Sequence, residues 1–243
     1  MRATFATTWR ILQQLFRDHR TLALLWLVPT LLLVLLRYMY DNQLSVFDSV
    51  GPLLLVIFPF VTMFLVTSIT TLRERTRGTL ERLMTLSMSK PSLILGYALA
   101  FALLAIIQIG LISFVAFGLL DLNMQGSPVL VASVALLIAV LGVALGLLAS
   151  AFARSEFQAV QFMPAFIFPQ FLLCGLLVPR DTMAEWLRWA SDIFPLTYAV
   201  EALRQLSAHA DITDTLRNDL VVLSCWVLGA LLLASLTLRR KTK

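Results

Sequence analysis

The stretch 129–152 reads VLVASVALLIAVLGVALGLLASAF and contains no charged residue. As an α-helix it would be roughly 36 Å long, against about 30 Å for the hydrocarbon core of a bilayer. Its apolar residues are continuous rather than alternating, which argues against a barrel strand, and lipid offers no partner to an unpaired backbone group. The stretch therefore predicts a transmembrane helix.

Five further apolar runs indicate that the chain crosses a membrane several times. They lie at 21–40, 50–72, 92–120, 157–178 and 220–238. Of all 243 residues, 59% are hydrophobic and 14% are charged, whereas soluble domains average about 25% charged residues. A water-soluble fold is excluded, and we predict an all-α integral membrane protein with six transmembrane helices in one domain over 1–243.

Lys and Arg are distributed unevenly between the segments that link these runs. One set of segments, which includes both termini, holds fourteen of the 19 Lys and Arg residues but only four of the 14 Asp and Glu residues. By the positive-inside rule this set faces the cytoplasm, which predicts a multi-pass protein of the cytoplasmic membrane with both termini inside. The net charge of +5 then reflects topology, so no nucleic-acid partner is expected.

The N-terminal segment 1–20 has the pattern of an amphipathic helix. Phe5, Trp9, Leu12 and Phe16 recur at helical spacing, and the arginines lie on other faces. Such a helix is typical of the membrane interface, where its apolar face contacts lipid. The alternative is a charged flank that only anchors the first span.

The predicted spans lack the side chains that membrane-embedded chemistry requires. Their interiors hold no Asp, Glu, Lys or His, and Arg37 lies near the end of its span, which argues against an ion-coupled transporter or an intramembrane enzyme. Cys174 and Cys225 lie in apolar runs without metal-ligand spacing, and the sequence has no phosphate-binding loop motif. We therefore expect no catalytic site, metal site or cofactor in the chain itself.

A charged loop at 73–90 joins the second and third spans on the predicted inner side, within LRERTRGTLERLMTLSMSKP over 72–91. The positive-inside rule accounts for its arginines. It does not account for the interleaved Glu74 and Glu81, and Gly78 permits a bend between them. Because the chain has no catalytic site of its own, transport against a gradient would need energy from another protein. This loop is the one internal cytoplasmic segment large enough to bind such a protein.

Two stretches resemble the type-two family of ABC transporter permeases, the membrane subunits of drug and polysaccharide exporters. ERTRGTLERLMT at 74–85 is similar to the signature loop of that family. CGLLVPRDTMAEWL and FPLTYAVEALR, both within 174–204, are similar to the segment between its fifth and sixth spans. The resemblance implies that 73–86 forms a coupling helix that docks into a separate nucleotide-binding ATPase subunit.

The resemblance also implies the partners and the activity. ATP and magnesium would be bound by the ATPase subunit, and a second permease copy or a sibling permease would complete an exporter of hydrophobic or amphipathic substrates such as drugs, lipids or glycan-like molecules. The chain itself would not be an enzyme. The residues expected to contact the ATPase are Glu74, Arg75, Arg77, Gly78, Thr79, Glu81 and Arg82.

The fourth and fifth spans carry two further patterns. Gly142 and Gly146 belong to a stripe of small residues, which fits close helix packing either within the chain or between two copies. The fifth span is rich in phenylalanine, proline and glutamine. Its Gln161, Phe162 and Phe166 are candidates to line the substrate path, although phenylalanines that face lipid need no such function.

The segment 179–219 is predicted to lie outside the membrane, with helical pieces at 182–190 and 196–206. In the family that it resembles, this region forms short re-entrant helices at the outer end of the path. The residues alone leave another class open, which is a membrane channel or scaffold that works without an ATPase. The two classes differ in whether the 73–90 loop binds an ATPase.

Overall fold

The computed structural model describes residues 2–79, 90–209 and 211–237 of the chain, with side chains from Thr4 onward. All regular secondary structure in these ranges is helical, which confirms the predicted all-α fold. The helices are α1 (Arg2–Arg17), α2 (His19–Met39), α3 (Leu44–Thr76), α4 (Lys90–Gly118), α5 (Pro128–Phe152), α6 (Glu156–Leu173), α7 (Glu185–Ile193), α8 (Pro195–Ala208) and α9 (Asp214–Thr237), with a 3₁₀ turn at Arg180–Thr182.

Five of the described helices are long and apolar enough to cross a membrane, namely α2, α3, α4, α5 and α9. Each overlaps most of one predicted span. The remaining predicted span, 157–178, corresponds to α6, which ends at Leu173 and has only 18 residues. Glutamines and prolines lower the mean hydropathy of α6, so the count of six spans stays a prediction.

The centre of the bundle is the contact between α3 and α5. An ideal Cβ placed on Gly142 would lie 2.5 Å from the carbonyl oxygen of Phe60, and one on Gly146 would lie 2.6 Å from the carbonyl oxygen of Phe64. The small-residue stripe therefore packs within the chain, where the absence of side chains lets two helix backbones touch.

The structure corrects the predicted start of the coupling helix. Residues 73–76 are the last turn of α3, which runs on without a break from the membrane span. The helix continues because Glu74, a charged residue beyond the apolar run, is buried against the bundle. The break comes at Arg77 and Gly78, and Gly78 has a φ of +75° that favours glycine.

Two short helices, α7 and α8, lie between α6 and α9, where helical pieces were predicted. α7 carries an exposed apolar stripe of Trp186, Trp189 and Ile193, and α8 is mostly buried against the bundle. The amide of Gly126 donates to the carbonyl of Leu206 at 2.7 Å, which fixes the end of α8 against the start of α5. A re-entrant position in the membrane stays a prediction for both helices.

Candidate coupling site at the basic end

Five helices meet at one end of the bundle, which we call the basic end. It is formed by α1, the last turn of α3, the start of α4, the end of α5 and the start of α6. This is the end that the positive-inside rule places in the cytoplasm.

A buried carboxylate lies at the centre of the basic end. Glu74 is only 3% exposed. Its Oε2 atom accepts a hydrogen bond from Arg10 Nη2 at 2.9 Å and another from the hydroxyl of Tyr97, and the guanidinium also lies 3.3 Å from that hydroxyl. These three residues, the Glu74 cluster, join α1, α3 and α4.

The electrostatics of the Glu74 cluster favour an ion pair. Burial acts to lower the pKa of Arg10, but the hydrogen bond and the negative charge of Glu74 outweigh it, so the pKa of Arg10 lies above its ordinary value. The pairing is incomplete, because Glu74 Oε1 and Arg10 Nε are buried without a hydrogen-bond partner in the described part of the chain. Removing either member would leave the other as an uncompensated charge.

Hydroxyl groups hold α1 against α4. Thr8 donates to the carbonyl of Gly96 at 3.1 Å, and the hydroxyl groups of Thr4 and Ser92 lie 3.2 Å apart. The face that carries these threonines also buries Ile11 and Leu15, whereas Phe5, Trp9 and Phe16 are exposed. The amphipathic helix is confirmed, and its exposed aromatic face is the one predicted to contact lipid; its place at the membrane interface stays a prediction.

Arg75 binds the end of α5. Its guanidinium donates to the carbonyl of Ala151 at 2.6 Å and to the carbonyl of Ala153. These carbonyls belong to the last turn and the C-cap of α5, where a cation also interacts favourably with the helix dipole. Arg75 is therefore engaged within the chain.

Arg73 forms a bidentate ion pair with Glu156, the first residue of α6. Its Nε and Nη2 atoms lie 2.6 Å and 2.8 Å from the two carboxylate oxygens. The hydrogen bond from Arg73 lowers the pKa of Glu156. Both side chains are about half exposed, at 47% and 50%, so solvent screens the attraction.

We expect the two neighbouring arginines to differ in their effect on stability. Arg75→Ala leaves two helix-end carbonyls without a charged donor and should lower the free energy of unfolding by about 1.5–3 kcal/mol. Arg73→Ala removes an exposed pair and should cost about 0.2–1 kcal/mol. Thermal unfolding of the purified variants in detergent measures both, and an equal or larger loss for Arg73→Ala would contradict this assignment.

An open cleft of about 230 Å³ lies beside the Glu74 cluster, between the end of α1 and the end of α3. We call it the basic-end cleft. Asp18 lies at its edge and caps α2, and its pKa is lowered by hydrogen bonds from the hydroxyl and the amide of Thr21. The cleft is lined by Gln14, Leu15, Asp18, Thr70, Arg73, Glu74, Arg77 and Thr79.

The predicted ATPase-contact residues have different surroundings. Arg77 is exposed, and Gly78 and Thr79 are partly exposed beside it. Glu74 and Arg75 instead face inward, as described above. Glu81 and Arg82 lie outside the described residues. Contact with an ATPase stays a prediction for all of them.

The residues predicted to line a substrate path lie on α6. Phe166 contacts Phe162 edge-on, with ring centroids 6.4 Å apart, and Phe64 of α3 at 6.3 Å. Gln161 is exposed. The two aromatic residues are thus brought together against α3, and their contact with a substrate stays a prediction.

The sequence did not point to Arg10 and Tyr97 as parts of this site. Arg10 looked like one of several arginines that fix topology. Tyr97 is the one tyrosine in the predicted span 92–120, and a buried phenol hydroxyl needs a hydrogen-bond partner. That requirement indicated that Tyr97 has a polar partner. It did not identify Glu74 as the partner, because Glu74 lies 23 residues away along the chain.

Comparison with known proteins agrees with this architecture. The family model described as ABC-2 type transporter matches residues 2–207. The chain is 28% identical to ABC transporter G family member 20 of Dictyostelium discoideum over 84% of its length. It is 24% identical over 77% of its length to the probable multidrug ABC transporter permease YbhR of Escherichia coli strain K12.

A third relative is the linearmycin resistance permease protein LnrN of Bacillus subtilis strain 168, which is 28% identical over 60% of the chain. The matched regions make up 28%, 51% and 38% of the lengths of these three relatives, in the order given. The chain therefore matches about half of each relative or less.

Proposed function

The chain belongs to the ABC-2 type transporter family, and from this premise we propose that it is the membrane-spanning permease subunit of an ATP-binding-cassette exporter. In this proposal a separate nucleotide-binding subunit binds ATP and magnesium and hydrolyses the ATP. The permease contributes the path through the cytoplasmic membrane and carries no catalytic site.

The observation that carries the proposal is the construction of the basic end. The Glu74 cluster and the hydroxyl contacts join α1, α3 and α4. α3 continues without a break from this cluster through the bundle, over 33 residues. A displacement applied beyond Gly78 would therefore act on several packed helices together, which is the kind of coupling that a moving ATPase requires.

The proposed contact surface begins where α3 ends. The ATPase would contact exposed Arg77 and the residues that follow it in the sequence, namely Gly78, Thr79, Glu81 and Arg82. The helix α1 would rest against the same subunit. Glu74 and Arg75 hold this surface from within the permease. Charged contacts of this type give specificity more than affinity, which suits a joint that moves.

A second permease copy, or a sibling permease, is proposed to pack beside α6. This helix buries only Ala159, Ile167 and Gln170 in the single chain. Its exposed face includes Gln161, a polar residue that is a poor neighbour for lipid. A substrate path beside Phe162 and Phe166, between two copies, would account for this composition.

The proposed substrate is hydrophobic or amphipathic. Two relatives carry the words multidrug and linearmycin resistance in their names. The aromatic side chains of α6 offer apolar contact area with few polar groups, as small-molecule sites usually do.

Affinity purification in mild detergent tests the proposal. Wild-type protein from its native membrane should bring down a subunit that hydrolyses ATP, because the basic end is intact. Arg77→Glu should lose that subunit, since it reverses the charge on the exposed contact surface. Mass spectrometry and an ATPase assay of the purified material measure both effects.

Arg188→Glu is the matched control for this experiment. It makes the same charge change at an exposed arginine of α7, away from the basic end, so the ATPase should be retained. If wild-type protein brings no ATP-hydrolysing subunit while other membrane complexes survive the same procedure, the channel or scaffold alternative takes precedence.

A further inference from the structure

We propose that α7 anchors the protein to the outer surface of the membrane, and that its exposed tryptophans insert between the headgroups and the acyl chains of phospholipid. In this arrangement α7 lies parallel to the membrane surface and does not re-enter the membrane. The inference goes beyond the proposed function, because it does not depend on an ATPase partner.

The path of the chain places α7 far from the basic end. α6 starts at the basic end, where Glu156 binds Arg73, and runs away from it to Leu173. α7 follows after a link that contains the 3₁₀ turn. Because the positive-inside rule places the basic end in the cytoplasm, α7 is expected at the opposite surface.

Two exposed stripes run side by side along α7. The apolar stripe has side chains that are 64–69% exposed, namely Trp186, Trp189 and Ile193. The polar stripe is also exposed and consists of Glu185, Arg188 and Asp192. Each polar residue precedes an apolar one by a single position, so the two stripes lie about 100° apart around the helix axis. One flank of α7 therefore suits lipid, and the neighbouring flank suits water.

The third flank of α7 is fixed to the protein. Ser191 is fully buried. Its hydroxyl accepts a hydrogen bond from Arg180 Nε at 2.9 Å, and its carbonyl accepts one from the hydroxyl of Thr197 at 2.7 Å. The hydroxyl of Tyr198 donates to the carbonyl of Asp192 at 2.8 Å. These contacts hold the tryptophans outward, so the described part of the chain does not cover them.

The apolar stripe matches the boundary between headgroups and acyl chains. Tryptophan is enriched at this depth, because its ring is apolar and its indole N–H can donate a hydrogen bond to a polar group. The end of α6 and the link to α7 also carry apolar side chains that are 47–57% exposed, namely Leu172, Leu177 and Val178. A lipid surface covers both sets of side chains, whereas a protein partner fitted to α7 alone would not.

The polar stripe determines the depth of the helix. A re-entrant α7 would place the charges of Glu185 and Arg188 in hydrocarbon, where charged side chains are costly. A helix in the plane of the interface keeps both charges in water, while its apolar flank reaches roughly 5–10 Å into the boundary. Glu185 and Arg188 have opposite charges, and Asp192 is paired with Arg180. The anchor therefore needs no anionic lipid.

The anchor would also fix the outer end of α6. Arg180, which binds Ser191 and Asp192 of α7, packs against Gly175, where an ideal Cβ would lie 2.9 Å from Arg180 Cγ. Arg204 of α8 donates to the carbonyl of Gly175. The membrane surface would thus set the depth of the helix that carries the candidate substrate path.

Spin-label accessibility along α7 tests the anchor. The full chain, with Cys174→Ala and Cys225→Ala, is placed in phosphatidylcholine nanodiscs and labelled with a nitroxide at one position at a time. Labels at Trp186→Cys and Trp189→Cys should relax mainly through oxygen, which dissolves in lipid, at a depth of roughly 5–10 Å. The matched labels at Glu185→Cys and Arg188→Cys, each one position earlier, should relax mainly through a water-soluble nickel reagent.

Every other pattern would overturn the anchor. Oxygen access at all four positions would mean that α7 re-enters the membrane. Nickel access at all four would mean that α7 stands in water. Low access of both reagents at the two tryptophan positions would mean that a protein covers the stripe, such as a second copy of this chain.

Intrinsic fluorescence repeats the test without a label. In a variant with Trp9→Phe, Trp26→Phe and Trp226→Phe, only Trp186 and Trp189 remain. Phosphatidylcholine that is brominated near the headgroup end of its acyl chains should quench them more strongly than lipid brominated near the chain ends. Stronger quenching by the deeper bromines, or none by either lipid, would contradict the interfacial position. Neither measurement involves an ATPase, so a negative result leaves the permease assignment standing.

Discussion

Replacing Gly142 with alanine is expected to destabilise the whole bundle. The new Cβ would lie 2.5 Å from the carbonyl oxygen of Phe60 and 3.1 Å from its ring. A backbone atom cannot turn away as a flexible side chain can, so α3 and α5 must separate along their main contact. Overpacking of this kind costs about 1–3 kcal/mol and occasionally more. A lower unfolding temperature and a lower yield of monodisperse protein in detergent would report it.

Two glycines in other helices provide controls, because replacing them with alanine should not lower the stability. Apart from its chain neighbours and its own helix backbone, a Cβ on Gly110 of α4 or on Gly229 of α9 meets no atom of the described chain within 4 Å. Because alanine is the better helix former by about 0.5–1 kcal/mol, each replacement should be neutral or stabilising. If Gly142→Ala behaves as these two do, the close contact between α3 and α5 is not the basis of the fold.

Arg10→Ala is expected to release α1 and to uncouple ATP hydrolysis from the permease. The change leaves the carboxylate of Glu74 buried with only the hydroxyl of Tyr97 beside it. Breaking a fully buried ion pair from one side costs about 3–5 kcal/mol. Arg10 is 32% exposed, so a loss near or below the lower limit is expected. Thermal unfolding and substrate-stimulated ATPase activity of the complex measure the two effects.

The controls for Arg10→Ala distinguish the ion pair from the charge of α1. Arg17→Ala removes an exposed arginine from the same helix and should change the free energy of unfolding by no more than about 0.5 kcal/mol. The double variant Arg10→Ala with Glu74→Gln should recover part of the stability, because no uncompensated carboxylate remains. A double variant that is as unstable as the sum of its single changes would show that the pair is not coupled.

The membrane helices could be predicted from the sequence because continuous apolar runs of sufficient length leave few alternatives. The ends of these helices were harder to predict. α3 extends beyond its apolar run because Glu74 is buried, and that burial depends on α1 and α4. α6 ends before Val178, and its glutamines and prolines make it more polar than the other candidate spans.

The position of the candidate site could be predicted from the sequence, but the contacts between its side chains could not. The charged loop and Gly78 were recognisable from composition. The roles of Glu74 and Arg75 were not recognisable in this way. Glu74 binds Arg10, which lies 64 residues away along the chain, and Arg75 binds Ala151, which lies 76 residues away. Contacts over such separations depend on how the helices pack, which local patterns do not report.

The glycine contacts restrict how α3 and α5 can move relative to each other. Gly142 and Gly146 are one turn apart on α5, and they face the carbonyls of Phe60 and Phe64, which are one turn apart on α3. Because both surfaces repeat once per helical turn, the two helices can pack equally closely again only after a shift of about 5.4 Å along the axis. Small sliding motions between these helices are therefore blocked. In any conformational cycle α3 and α5 must therefore move together as a rigid unit. Smaller, gradual movements must occur at other helices, such as the sparsely packed α6.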